Sequence, residues 1–273
     1  MKRMLLRSAH YGVLTLFAVL LIYPLYFAVS ASLMTPAEIN RYPTPIFPSG
    51  LYVQNFIDTI AAVPILRFIV NSFAVATFIM VGQLVFCSMA AYAFALLNFP
   101  GKNLWFILFL STMMIPWEVT IIPNYLLIRG WEWDDTYAGL TIPFMASAFG
   151  VFLLRQNFMQ FPKELFEAAR IDGCGIVMTF LRIVVPLARP ALATLGIYSF
   201  LNAWNMYLWP LLITNSDRMR TVQIGISMLQ WEESQSWNLV LTGVTLALVP
   251  SILLLVVGLK QLVQGITAGA VKG

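Results

Sequence analysis

Six long apolar runs dominate this 273-residue chain, and they leave few folds open. They fall at roughly 11–33, 68–97, 104–128, 137–158, 190–213 and 239–262. Each reaches or exceeds the ~20 residues that a helix needs to cross a hydrocarbon core about 30 Å thick. Inside that core every backbone N–H and C=O must find a partner within the protein, so only helices and closed barrels span it. A barrel would show alternating segments of about ten residues rather than continuous apolar runs. The expected fold is therefore an all-α membrane protein with six transmembrane helices, a single transmembrane domain over residues 1–273. Charged residues make up only 10% of the chain, against about 25% in soluble domains.

Lys2, Arg3 and Arg7 precede the first run, and Val29-Ser30-Ala31 resembles a cleavage site. That run is too long for the 7–15 residues of a signal-peptide core, so it is read as a retained helix. Lys and Arg concentrate on the cytoplasmic side of membrane proteins. With the N-terminus inside, Lys102, Arg155, Lys163, Arg170, Arg182, Arg189, Lys260 and Lys272 join the first three in the cytoplasm. Glu38, Asp58, Glu132, Asp134, Asp135, Asp217, Glu232 and Glu233 fall outside. Both termini are cytoplasmic in this arrangement. The net charge of +4 then follows from topology, and no nucleic-acid partner is expected.

Cys87 lies within a span and Cys174 in a cytoplasmic segment, so no disulfide is expected. Two scattered cysteines and one histidine give no metal-site spacing, and no metal site is expected. The connections vary. Residues 98–103, with Pro100 and Gly101, form a tight cytoplasmic turn. Residues 35–66 make a longer outer excursion whose prolines prevent a continuous helix, with an interfacial segment around Phe56–Leu66. Trp131 and Trp133 mark an outer turn, and residues 214–238 a second outer loop anchored by Trp231 and Trp237.

The longest polar interruption, about 160–187, is a cytoplasmic helix-turn-helix. Pro162 suits a helix start, where its missing N–H costs nothing. Glu164 suits the positive end of the helix dipole. Gly173 can stop the helix with a positive φ, and a second helix is expected from about Ile176 to Val185, ended at Pro186. Ala168 and Ala169 leave one face shallow enough for another surface to approach. On these arguments the segment is either a docking element or an ordinary amphipathic connector.

The pattern Glu167-Ala168-Ala169, Gly173, Ile183 and Pro186 resembles the EAA loop of bacterial ABC-importer permeases. Val185 stands where the family usually has Leu, and Cys174 where Ala is common. The likeness extends along the chain to the carbohydrate-uptake permeases, through Asn71-Ser72, Ala90-Ala91-Tyr92-Ala93, Phe99-Pro100-Gly101-Lys102, Trp204-Asn205 and the tail from Gly265. Pro116-Trp117-Glu118-Val119, Tyr137-Ala138-Gly139-Leu140-Thr141 and the stretch from Trp204 to Pro210 look most like the glycerol-3-phosphate branch. The resemblance implies a type I ABC-importer permease fold in the bacterial inner membrane. It implies a heterodimer with a second permease, a dimer of cytoplasmic ABC ATPases and an extracytoplasmic solute-binding protein. ATP and Mg would bind on the ATPases, with no cofactor on this chain. Glu167, Ala168, Ala169, Asp172 and Gly173 would form the ATPase-coupling contact. The tail, about 263–273, is either a frayed end or a second contact with the ATPases.

Polar groups inside a span are costly and each needs a reason. Glu118 lies between Pro116 and Pro123, where proline can open backbone groups along a cavity. With Asn124, Trp204, Asn205 and Tyr207 it is a candidate for contact with a sugar or polyol; the alternative is that these residues bridge helices. No Lys or Arg falls near the middle of a span, so a phosphate ester would take its cation from the second permease. Sugar, oligosaccharide and glycerol phosphate all remain open as cargo. An intramembrane enzyme is disfavoured, because the chain has neither a His-Glu-x-x-His pair nor a Gly-x-Ser-x-Gly turn, and no catalytic residue is assigned. A secondary transporter would show repeated halves and ionisable midplane groups, which are not evident. The chain also has no phosphate-binding loop for ATP.

Overall fold

The structure is a computed structural model that describes residues 2–231 and 236–267. In chain order its helices are α1 (Lys2–Ser32), α2 (Pro36–Ile39), α3 (Gln54–Ala62), α4 (Ile65–Leu96), α5 (Lys102–Ser111), α6 (Trp117–Gly130), α7 (Tyr137–Thr141) and α8 (Ala148–Phe158). Then come α9 (Lys163–Ile171), α10 (Ile176–Thr179), α11 (Val185–Leu187), α12 (Arg189–Trp204), α13 (Leu208–Ile213), α14 (Val222–Trp231) and α15 (Trp237–Thr267). Short 3₁₀ turns cover Thr112–Met114 and Ile142–Phe144, and a π-turn covers Phe180–Val184.

Stretches within α1, α4 and α15 are each long and apolar enough to cross a membrane unbroken. Three further pairs pass the same test as bent helices, which brings the possible number of spans to six. The bends are 97° between 102–114 and 117–130, 45° between 137–144 and 148–158, and 79° between 176–187 and 189–204. The run at 104–128 is thus no straight helix. Ile115 precedes Pro116 and is extended, as the clash with a following proline ring requires. The run at 190–213 is likewise interrupted, with α12 ending at Trp204 and α13 beginning at Leu208. Pro186 does not end the second cytoplasmic helix. The π-turn before it lets the Val185 N–H reach back to the Phe180 carbonyl, and helical backbone continues to Leu187.

Contacts divide the chain into two compact units, Met1–Arg67 with Ile224–Val249, and Phe68–Gln223 with Pro250–Gly273. In the first, α1 is exposed on all sides from His10 to Leu25, as suits a helix in lipid. Its end is gripped by a buried polar cluster. Asn55 donates to the Ser32 and Met34 carbonyls at 2.9 and 2.8 Å and accepts from Asn238 at 2.8 Å. The Thr245 hydroxyl donates to the Ala28 carbonyl, so α15 also holds α1. The outer excursion carries α2 and α3, and α3 buries Asn55 and Thr59 while Ile57 and Ile60 face outward. The second outer loop contains α14, whose Val222, Ile224 and Leu229 are buried.

In the second unit a core of Cys87, Ala91, Tyr92, Phe106, Val151, Leu154, Phe158, Val184, Ala188, Ala191 and Leu195 packs α4, α5, α8, the π-turn and α12 together. Both cysteines are free thiols.

Glu38 gives the outer excursion a titratable lock. Its carboxylate completes a capping box with Thr35 and accepts the Ser49 amide at 2.9 Å. Bonds from Ser49 and Thr35 lower its pKa from 4.5 to about 2. A depressed carboxylate stabilises the fold fully above its unfolded pKa and loses that contribution as pH falls toward the folded one. The stability difference between wild type and Glu38→Gln is therefore expected to be constant above about pH 5. It should shrink between pH 4.5 and about 2, which thermal unfolding in detergent across that range would measure.

Candidate functional site

Three chain breaks converge on one cavity in the second unit. It has a volume of about 720 Å³ and is lined by the ends of the broken helices: Thr112, Met113 and Trp117; Phe144, Ser147 and Ala148; Met206, Tyr207, Leu208 and Trp209. Ile79 and Gln83 from α4, Phe149 from α8, and Tyr198, Ser199, Asn202 and Ala203 from α12 complete the wall. A broken helix frees backbone polar groups, which a membrane protein tolerates where the break lines a cavity or is covered by protein.

Aromatic rings make most of the apolar wall. Trp117, Phe144 and Trp209 form a triangle with centroids 5.2 to 5.8 Å apart, and Phe149 and Tyr198 lie 4.6 Å apart. Two hydrogen bonds orient the Gln83 amide: it donates to the Phe144 carbonyl at 2.9 Å and accepts from the Ser199 hydroxyl at 2.6 Å. Its second N–H and remaining lone pair have no role in those two bonds. Asn202 donates to the Tyr198 carbonyl at 2.8 Å. None of the lining residues, all of them among the described residues, carries a charge. Flat aromatic faces with a few oriented amides and hydroxyls suit an uncharged polyol or sugar surface.

The residues singled out from the sequence divide around this cavity. Tyr207 lines it. Trp204 does not line it and is buried, stacked on Phe200 at 5.9 Å, and Asn205 is exposed with its amide donating to the Leu201 carbonyl. Glu118 is exposed on the first turn of α6, and Asn124 is half-buried; neither lines the cavity. The sequence reading missed Gln83, Trp117, Phe144, Tyr198 and Trp209 as lining groups. The signal for three of them was local: Trp117 follows Pro116, Phe144 follows Pro143 and Trp209 precedes Pro210.

Outside the cavity a carboxylate pins the chain after α13. Asp135, at φ +55°, accepts the Asn215 and Ser216 amides at 3.0 and 3.1 Å and the Ser216 hydroxyl. Burial works to raise its pKa. Bonds from Ser216 and Asn215, with the nearby Arg220 charge, outweigh that and hold it below the usual range.

The cytoplasmic segment has a sharply defined shape. Helix α9 ends in a complete left-handed cap: Gly173 has φ +76°, its N–H reaches the Arg170 carbonyl at 3.1 Å, and the Cys174 N–H reaches that of Ala169 at 2.8 Å. Glu167, Ala168, Asp172 and Gly173 are exposed, as are Ile171, Ile176 and Val177. Ala169 is buried in its own chain, so only Ala168 of the pair offers a shallow outer face. Of the tail, residues 268–273 lie outside the described residues.

Residues 47–267 match the family model described as binding-protein-dependent transport system inner membrane component. The chain is 38% identical to the sn-glycerol-3-phosphate transport system permease protein UgpE of Brucella suis over 263 residues, 93% of each chain. It is 35% identical to the UgpE of Agrobacterium fabrum, over 97% of each. Among solved structures, a bacterial ABC transporter involved in the import of the acidic polysaccharide alginate aligns with a TM-score of 0.84 at 21% identity. That alignment covers 95% of this chain and 97% of that one, and carries the likeness of fold.

Trp209 is aimed at the cavity by its indole N–H, which donates to the Gly139 carbonyl at 3.1 Å. A Cβ at Gly139 would run into the backbone carbonyl of Trp133, which no rotamer change relieves. Gly139→Ala is expected to displace this turn and destabilise the protein by about 1–3 kcal/mol, the range for overpacking. Its unfolding midpoint should fall, while Gly130→Ala, at the end of α6 where the added atom meets nothing, should hold the midpoint or raise it, since Ala is the better helix former.

Proposed function

The chain belongs to the family of binding-protein-dependent transport system inner membrane components, and from that premise we propose that its cargo is a small polyhydroxylated solute of the sugar or sn-glycerol-3-phosphate type. It is a multi-pass inner-membrane permease subunit of an ABC importer. It is a transport subunit and not a catalyst. The family implies a second permease, ATPases that hydrolyse ATP, and a binding protein.

The cavity of aromatic rings with Gln83 and Asn202 carries the cargo reading. Its rings suit the C–H faces of a polyol, and its amides suit hydroxyl groups. The glycerol-phosphate form draws support from relatives named UgpE. Since no lining residue is cationic, the phosphate charge would be met by the second permease. The cavity volume of about 720 Å³ favours a second reading, a di- or oligosaccharide, because a glycerol phosphate would fill little of it. ATP-dependent uptake by the complete complex in liposomes separates the two, with labelled sn-glycerol-3-phosphate and maltose as competing probes. For either cargo, Trp209→Ala or Gln83→Leu is expected to lower uptake about tenfold, the effect of roughly 1.4 kcal/mol. Unchanged uptake in both variants would remove the cavity from the pathway.

The segment 160–187 is the proposed contact with the ATPases, with Glu167, Ala168, Asp172 and Gly173 on its exposed surface and exposed Ile171 as an apolar anchor. Ala169, assigned by resemblance to the same contact, acts from beneath by seating α9 on its own chain. Alternating access then follows from nucleotide-driven closure of the ATPase dimer. Moving a gate from 1:99 to 99:1 takes about 5.5 kcal/mol of differential binding, so this small contact must be stiff. The αL cap at Gly173 supplies the stiffness. A Cβ there meets no neighbour, so substitution acts through the backbone alone. Gly173→Asn, tolerant of positive φ, should retain transport, and Gly173→Val should lose uptake while inserting normally. Membrane insertion assayed beside uptake checks both.

A further inference from the structure

We propose that Tyr92 is the positioning residue through which the cytoplasmic coupling segment moves the span α4; this rests on the reading of residues 160–187 as the ATPase contact. Tyr92 lies one turn before the end of α4 and is 7% exposed. Its hydroxyl donates to the Ile176 carbonyl at 3.1 Å, and its ring centroid lies 5.2 Å from that of Phe180. Ile176 is the first residue of α10, and Phe180 is the first residue of the π-turn. One side chain therefore grips both ends of α10, the first helical turn after the exposed α9.

The features around this contact fit a joint. A π-turn interrupts the regular hydrogen-bond ladder and recurs at functional sites. Here it follows α10 directly, and Val184 at its end and Ala188 after it pack into the same core as Tyr92, so the π-turn lies within the contact between this segment and α4. The end of α4 is held in turn by α8. Arg155 donates from Nε to the Phe94 carbonyl at 3.2 Å, and its guanidinium sits 4.0 Å from the centre of the Phe106 ring on α5. A displacement delivered at Ile176 thus enters α4 where α4, α5 and α8 are already fastened together. The first turn of α10 has exposed Val177 and half-buried Cys174 beside it, so among the described residues its outer side is left uncovered.

The hydrogen bond is not required to satisfy the helix. The Ile176 carbonyl already accepts the Phe180 N–H, and the tyrosine hydroxyl uses its second lone pair. Removing the hydroxyl leaves no orphaned backbone group, which makes Tyr92→Phe a mild change for folding and a specific one for attachment.

The test uses the complete complex, with second permease, ATPases and binding protein, in liposomes. ATP hydrolysis and uptake are measured in the same vesicles, using whichever of sn-glycerol-3-phosphate or maltose the wild type accumulates. Tyr92→Phe is expected to assemble, to keep ATP hydrolysis within about twofold and to lower uptake per ATP about fivefold, the ratio for one net hydrogen bond. Tyr92→Leu, which also removes the ring, should lower that ratio further. Unchanged uptake per ATP in Tyr92→Phe would overturn the proposal. So would a parallel fall of hydrolysis and uptake, the result of a merely structural role. Gly173→Val in the same assay keeps the two readings apart. If it transports normally, the coupling segment itself is misread; if it uncouples while Tyr92→Phe does not, only the role of Tyr92 fails.

Discussion

Everything in this structure depends on pairing backbone polar groups where water is absent. Within hydrocarbon an unpaired N–H or C=O costs several kcal/mol, and an unbroken helix is the simplest answer. The long helices α1, α4 and α15 take that answer directly. Elsewhere the chain breaks its helices, and at each break side chains take over the pairing. Thr112 donates to the Phe109 carbonyl, Thr120 to Trp117, Gln83 to Phe144, Trp209 to Gly139 and Thr214 to Pro210. These bonds pair carbonyls at or near the breaks, and among the groups that make them Gln83, Thr112, Trp117, Phe144 and Trp209 also line the cavity. Irregular backbone and cavity wall are one construction.

That view explains which polar residues matter. A Glu in an apolar run draws attention because of its charge, but Glu118 sits one residue after Trp117, and one residue turns a helix by about 100°. Trp117 faces the cavity and Glu118 is exposed elsewhere on α6. Gln83 carries no charge and sits in an unbroken span, so nothing local marks it. Its importance comes from lying opposite the break at Phe144 and beside Ser199, partners 61 and 116 residues away.

The parts of the fold legible in the sequence are those set by local chemistry. The run at 68–97 became α4, Ile65–Leu96, and the Gly173 stop appeared as a left-handed cap. The run at 104–128, read as a single span, breaks at Pro116 instead, and its 97° bend depends on packing and could not be read from the run itself. Pro186 shows the opposite error. Proline ordinarily ends a helix, but the π-turn at Phe180–Val184 shifted the hydrogen-bond register so that the ring was accommodated. The Glu-Ala-Ala triplet hid a division of labour as well, since Ala169 is buried and Ala168 exposed. Adjacent helical residues point about 100° apart, so two neighbouring alanines need not serve the same surface.

The same distinction separates how transport is driven from what is carried. A coupling contact needs a short rigid shape presented to a partner, and a proline start, a helix and a positive-φ glycine write that shape within a dozen consecutive residues. A solute cavity needs three distant breaks to meet, and its selectivity lies in spacing and orientation set by packing. Residue types alone do not encode that spacing: Trp204 and Trp209 are five positions apart, yet one stacks on Phe200 away from the lining and the other lines the cavity. Sequence likeness can therefore be strong for the drive mechanism while the cargo depends on the wall of the cavity. On the proposed cargo reading, Gln83, Trp117 and Trp209 are the residues at which relatives with different cargoes should first diverge.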